Sequence, residues 1–129
     1  MRTHRLALLL LIPLALAPFT PALATPAACA AKAATMLDAL GHKDYTAASR
    51  LMGPQLQQPQ QQKMLISMWE ALIRDSWGPY QSHGDASTIV DDGTAASIRL
   101  PLQFEHGSTT ATITCHPKSG GAIDEFVLL

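Results

Sequence analysis

The 129-residue chain contains none of the short patterns by which catalytic machinery usually announces itself. There is no G-x-S-x-G elbow, no S-x-x-K, no Gly-rich phosphate loop and no dinucleotide fingerprint, so the common motif-borne routes to acyl, phosphoryl and hydride transfer are not written in it. Basic runs are missing too. Beyond residue 24 the Lys and Arg residues are scattered singly, which excludes a generic polyanion binder, because nucleic-acid binding needs a basic face to displace counterions from phosphate. Long apolar runs are also absent. Leu6 to Ala17 supply 12 residues, all apolar apart from Pro13; as a helix they would reach about 18 Å, well short of the roughly 30 Å hydrocarbon core. A stable membrane anchor is therefore not expected.

The beginning of the chain has the three parts of an export signal. Arg2, His4 and Arg5 form a short basic start, Leu6 to Ala17 form the apolar core, and Pro18, Pro21, Ala22, Leu23 and Ala24 form an extended segment ending in an A-x-A pattern. Residues 1–24 are expected to be a cleavable signal peptide, with cleavage after Ala24, and residues 25–129 one exported domain, periplasmic or secreted. A lipoprotein would need a Cys directly after a Leu-containing lipobox, whereas Cys29 follows Thr25-Pro26-Ala27-Ala28. The mature part carries seven Lys and Arg against ten Asp and Glu, a formal charge of −3. About 105 residues can bury roughly 65% of their unfolded surface, enough for one core.

Cysteine is almost absent as well, and the two present, Cys29 and Cys115, both lie in the mature part. An exported compartment permits a disulfide between them. A bridge would close a loop of about 85 residues, for which the chain-entropy model gives about 4 to 5 kcal/mol. The rival is a pair of unbridged buried thiols; the bridge is the expectation.

Apolar spacing divides the mature chain into a helical first half and a stranded second half. Ala33, Met36, Leu37 and Leu40 predict a helix over Pro26 to Leu40, with Gly41 as its left-handed cap residue. Asp44 is placed to cap a short helix from Tyr45 to Met52, and Gly53-Pro54 ends it. Gln55 to Gln62, with six Gln and one Pro, reads as a solvated connector. Met64, Leu65, Met68, Trp69, Leu72, Ile73 and Ser76 then form the stripe of a third helix, stopped by Trp77-Gly78-Pro79. Beyond Pro79 the period becomes two. Turn signals at Asp91-Asp92-Gly93, Glu105-His106-Gly107 and Lys118 to Gly121 predict four antiparallel strands. Ile98, Leu100, Leu102 and Phe104 share one face, as do Ala111, Ile113 and Cys115. Pro101 suits an edge or bulge, and Ile123, Phe126 and Leu128 share a side only if a bulge intervenes.

Candidate chemistry is sparse. Of His42, His83, His106 and His116, none has a second His or Cys at helical i, i+4 spacing. His106 and His116 lie at or near strand ends, where Cys115 could join them, but zinc sites usually show closer pairs, so no metal and no cofactor are expected. Ser67, His83 and Asp85 can be written as a triad, yet almost any chain of this composition offers such a trio. No catalytic residue is assigned.

The order helix, short helix, long helix and four-stranded meander resembles the cone-shaped fold of nuclear transport factor two and its cystatin-like relatives. Leu37 to Tyr45, Met68 to Leu72, Trp77 to Tyr80, and the pair Ile123 and Phe126 resemble more closely an uncharacterised bacterial family of exported domains. In that family a helix ends in a Gly-Asp-Tyr-like step; here His42-Lys43 separates Gly41 from Asp44. The resemblance implies an α+β fold, N-terminal helices on a curved four-stranded antiparallel sheet, and supplies no catalytic residues. The expected role is a non-enzymatic binding or accessory module for a small apolar ligand or a protein partner. Its cavity would be lined by Trp69, Trp77, Tyr80 and Phe104, and a homodimer is open to it. The alternative is a small ketosteroid-isomerase-like enzyme, which needs an Asp or His buried in that cavity.

Overall fold

A computed structural model describes residues 24–129. The signal-peptide assignment lies outside the described residues except for Ala24. The first helix, α1, spans Pro26–Gly41. Thr25 caps it, its hydroxyl accepting from the Ala28 N–H at 3.1 Å, and Pro26 sits where its fixed φ suits the first helical turn. Cys29, Ala33, Met36, Leu37 and Leu40 recur at helical spacing and are all buried. A second helix, α2, covers only Tyr45–Ser49, shorter than expected because Met52 leaves it to bridge Ile123 in parallel. Asp44 caps α2 through Ala47, as its position suggested.

Two local expectations give way. Gly41 is not the left-handed residue at the end of α1; Lys43 is, at φ 58°. The bonds of Lys43 N–H to Leu40 O (3.0 Å) and Asp44 N–H to Ala39 O (2.8 Å) close a Schellman-type end one residue beyond His42. Gly41 is small for another reason: a Cβ there would lie 2.7 Å from the Tyr80 ring. The glutamine-rich segment is not simply a connector either. Its second half opens helix α3, Pro59–Leu72, and its side chains pin the loop: Gln57 donates to Ser49 O and Met52 O, each at 3.0 Å, and Gln62 donates to Leu56 O at 2.6 Å. After Leu72 the helix widens into a π-helical turn, Ile73–Trp77, and Gly78 breaks it at φ 72°.

The sheet is antiparallel and has five strands, not four: β1 Tyr80–His83, β2 Ser87–Asp91, β3 Ala96–Phe104, β4 Gly107–His116 and β5 Ala122–Leu128. Both β1 and β2 pair with β3, at its two ends, so the expected first strand is interrupted at Gly84-Asp85-Ala86. Pro101 supplies the reason. Its carbonyl accepts from Gly84 at 2.8 Å, which directs its nitrogen to the same side; lacking an N–H, it cannot extend that ladder. On the other side Pro101 lies opposite Thr110 in an unbroken β3–β4 register. The alternation expected of β3 and β4 is present, with Ile98, Leu100, Leu102, Phe104, Ala111, Ile113 and Cys115 buried beneath the helices. The bulge expected in β5 is present too. Thr114 pairs with Glu125 and Cys115 with Ile123, leaving Asp124 as the extra residue and turning Ile123, Phe126 and Leu128 to one side.

Cys29 and Cys115 are bridged, their Cα atoms 5.8 Å apart across 86 positions. The first turn of α1 is thereby tied to the end of β4. Both residues are fully buried.

Candidate binding site

Trp69, Trp77, Tyr80 and Phe104 do meet. Trp69 comes from α3, Trp77 from the π turn, Tyr80 from β1 and Phe104 from the end of β3, where Tyr80 and Phe104 are register partners. Ring centroids are 5.7 Å apart for Trp69–Tyr80, Trp69–Phe104 and Tyr80–Phe104, and 5.3 Å for Trp77–Phe104, within the range of tilted and edge-on aromatic packing. Trp69 and Phe104 are fully buried, and the Trp69 indole N–H is spent on Leu40 O at 3.1 Å. Each of the other two rings rests on a glycine, Tyr80 on Gly41 and Trp77 on Gly107.

An open apolar surface lies elsewhere, along the outer side of α3. Leu65 and Trp69 are buried, Trp69 against Tyr80 and Phe104, while Met64 and Met68, one position earlier and so rotated by about 100°, are 59% and 39% exposed. Together with Leu56, Gln61, Leu65 and Phe126 they line a cleft of about 170 Å³ between α3 and β5. No charged side chain lines it. Six large apolar side chains are conspicuously exposed among the described residues; Met64, Met68, Val127 and Leu129 belong to α3 or to β5 and its end, and Ile89 and Val90 to β2. The sequence carried a signal for this. A stripe of i, i+1, i+4, i+5 is two residues wide, and a single sheet covers only one half of it.

Polar clefts also mark the surface of the described residues: a small one of about 220 Å³ lined by Lys43, Glu70, Ile73 and Arg74, and two larger ones. One, of about 690 Å³, lies beside the β1–β2 gap and is lined in part by Ser82, His83, Pro101, Gln103 and Thr110. The other, of about 450 Å³, holds Thr94, His116, Lys118, Ser119 and Asp124; there the Ser119 hydroxyl lies 2.9 Å from both oxygens of Asp124 and holds the bulge residue in place. The suggested trio is not assembled by local contacts. Ser67 is exposed on α3, Asp85 is exposed in the strand break, and the His83 ring contacts its own neighbour, Gly84 O, at 3.1 Å. His106 lies 3.6 Å from Glu105 in solvent, His116 contacts Thr94 O, and Cys115 is engaged in the disulfide. Among the described residues no three His, Cys, Asp or Glu side chains group as metal ligands.

Two tyrosines titrate abnormally. Burial, then a hydrogen bond to Glu70 at 2.9 Å, pushes Tyr45 up to about 12. Burial, then the charge of Asp38, pushes Tyr80 up to about 12, and the Tyr80 hydroxyl is buried without a hydrogen-bond partner. Asp92 lies below the usual carboxylate range because the Thr94 hydroxyl and the Thr94 and Ala95 amides donate to it, which organises the β2–β3 turn. No family model, curated protein or solved structure matches the chain.

Proposed function

We propose that this chain is an exported, non-enzymatic binding or accessory module whose working surface is the cleft between α3 and β5. The observation that carries this reading is the exposure of Met64 and Met68 beside Phe126: flexible, polarisable side chains left uncovered in an uncharged groove suit a protein or apolar partner. Export is supported by the disulfide, since such bonds persist in oxidising compartments. No helix of the described residues is long and apolar enough to cross a membrane. A cone-shaped sheet like that of nuclear transport factor two and the cystatin-like proteins belongs to the same proposal. It draws on helices gathered on one face of a meander and on a bulge that bends β5. The ketosteroid-isomerase-like alternative needs a carboxylate or imidazole within the aromatic cluster, and the sole buried polar residue among those described is Thr114.

The test uses protein labelled with ¹³C at the methionine methyls and titrated with anilinonaphthalene sulfonate, a fluorescent apolar probe. The Met64 and Met68 methyl resonances are expected to shift while the Trp69 indole stays still. A shift of Trp69 with silent Met64 and Met68 would move the site back to an internal cavity lined by the four aromatic residues.

A further inference from the structure

We propose that the partner of this surface is a second copy of the chain, joined through β5 about a two-fold axis at Val127; this rests on the binding-module reading above and names its occupant. The first observation concerns backbone. Ile123 turns its amide groups away from β4, donating to Leu51 O at 2.9 Å and accepting from the Gly53 N–H at 2.7 Å, so the segment Leu51 to Gly53 covers one end of the β5 edge. Leu129 directs its N–H inward to Thr110 O at 3.0 Å. Backbone groups alternate along a strand, so Val127 also points inward, while Phe126 and Leu128 point their N–H and C=O groups outward. β5 ends the sheet and no other described strand pairs with that edge.

The second observation concerns side chains. Antiparallel pairing centred on Val127 would set Phe126 opposite Leu128 of the second copy, forming hydrogen-bonded pairs on both sides of the axis. Val127, 41% exposed, would meet its own counterpart on the outer face. Phe126 and Leu128 lie on the helix side, so the two α3 clefts would join into one and bring Met64 and Met68 against the same residues of the second copy. A single contact thus covers the α3 and β5 group of exposed apolar side chains. The opposite edge is less suited: β2 is irregular between Thr88 and Val90, and Asp85, Asp91 and Asp92 flank it.

Sedimentation equilibrium of the exported chain, with its disulfide intact, tests the proposal. Twice the monomer mass is expected at high concentration, with reversible dissociation on dilution. Val127→Asp places two carboxylates on the axis and is expected to weaken association at least about tenfold; Met68→Lys is expected to weaken it as well. Because both positions are exposed in the monomer, the melting temperature of dilute protein should stay unchanged. A chain that is monomeric throughout, or a dimer indifferent to both substitutions, overturns the proposal. If the chain is monomeric but its Met64 and Met68 methyls still respond to the apolar probe, the dimer alone falls; silent methyls in a monomer remove the binding reading as well.

Discussion

Tyr80 joins two properties that single side chains in small cores seldom combine: its ring packs against Trp69, Phe104 and Gly41, and its hydroxyl oxygen is buried without a partner. A buried polar group without a hydrogen bond costs about 1 to 3 kcal/mol. Tyr80→Phe keeps the ring and removes the cost, so a gain of about 1 kcal/mol in urea unfolding at neutral pH is expected, and a loss would mean that the hydroxyl has a partner. The pH dependence has a definite sign. An unfolded tyrosine titrates near 10 and folded Tyr80 near 12, so the folded state holds the proton more tightly. The associated stability is complete below pH 10 and drains away as pH rises through 12. The variant should lose stability less steeply across that window, retaining a slope from Tyr45, which is displaced in the same direction.

At the scale of elements, the end of α1 shows what periodicity reveals and what it hides. The helix itself was legible, because Ala33, Met36, Leu37 and Leu40 repeat at its period. Its termination was not, because a glycine demanded by a neighbouring ring looks like a glycine demanded by backbone conformation. The two requirements are separable by mutation. Lys43→Gly relieves a left-handed residue and is expected to stabilise by about 0.5 to 1 kcal/mol. Gly41→Ala pushes into the Tyr80 ring and is expected to destabilise by about 1 to 3 kcal/mol. Thermal melts of the two variants should move in opposite directions; a melt raised by Gly41→Ala would disprove the Tyr80 contact. The strands follow the same logic. Parity along β3 and β4 exposed their core faces, and the clash of parity in β5 exposed its bulge, since each depends on neighbouring residues. The break between β1 and β2 depends on a proline in the strand opposite, which no local pattern reports. The α3 cleft was half legible: the stripe was seen in full, but which half the sheet would cover depends on how α3 is rotated.

For the whole molecule, the strongest single tie is the bond between Cys29 and Cys115. Replacing both with Ala should lower the unfolding free energy by about 3 to 5 kcal/mol, measured by urea denaturation against the oxidised parent, with the substitution mimicked by adding reductant to that parent. No change would mean that the thiols are not bridged in the protein as purified. A domain of this size has about 5 to 15 kcal/mol in total, so the loss would bring it close to its folding limit. The bond also changes what kind of object the chain is. Covalently, residues 29 to 115 form a closed ring, and β5 lies on the tail that leaves it after Cys115. A protease that cuts the exposed break at Gly84 to Ala86 only opens that ring. Both pieces stay on one molecule, and the cut strand can remain in place in the sheet.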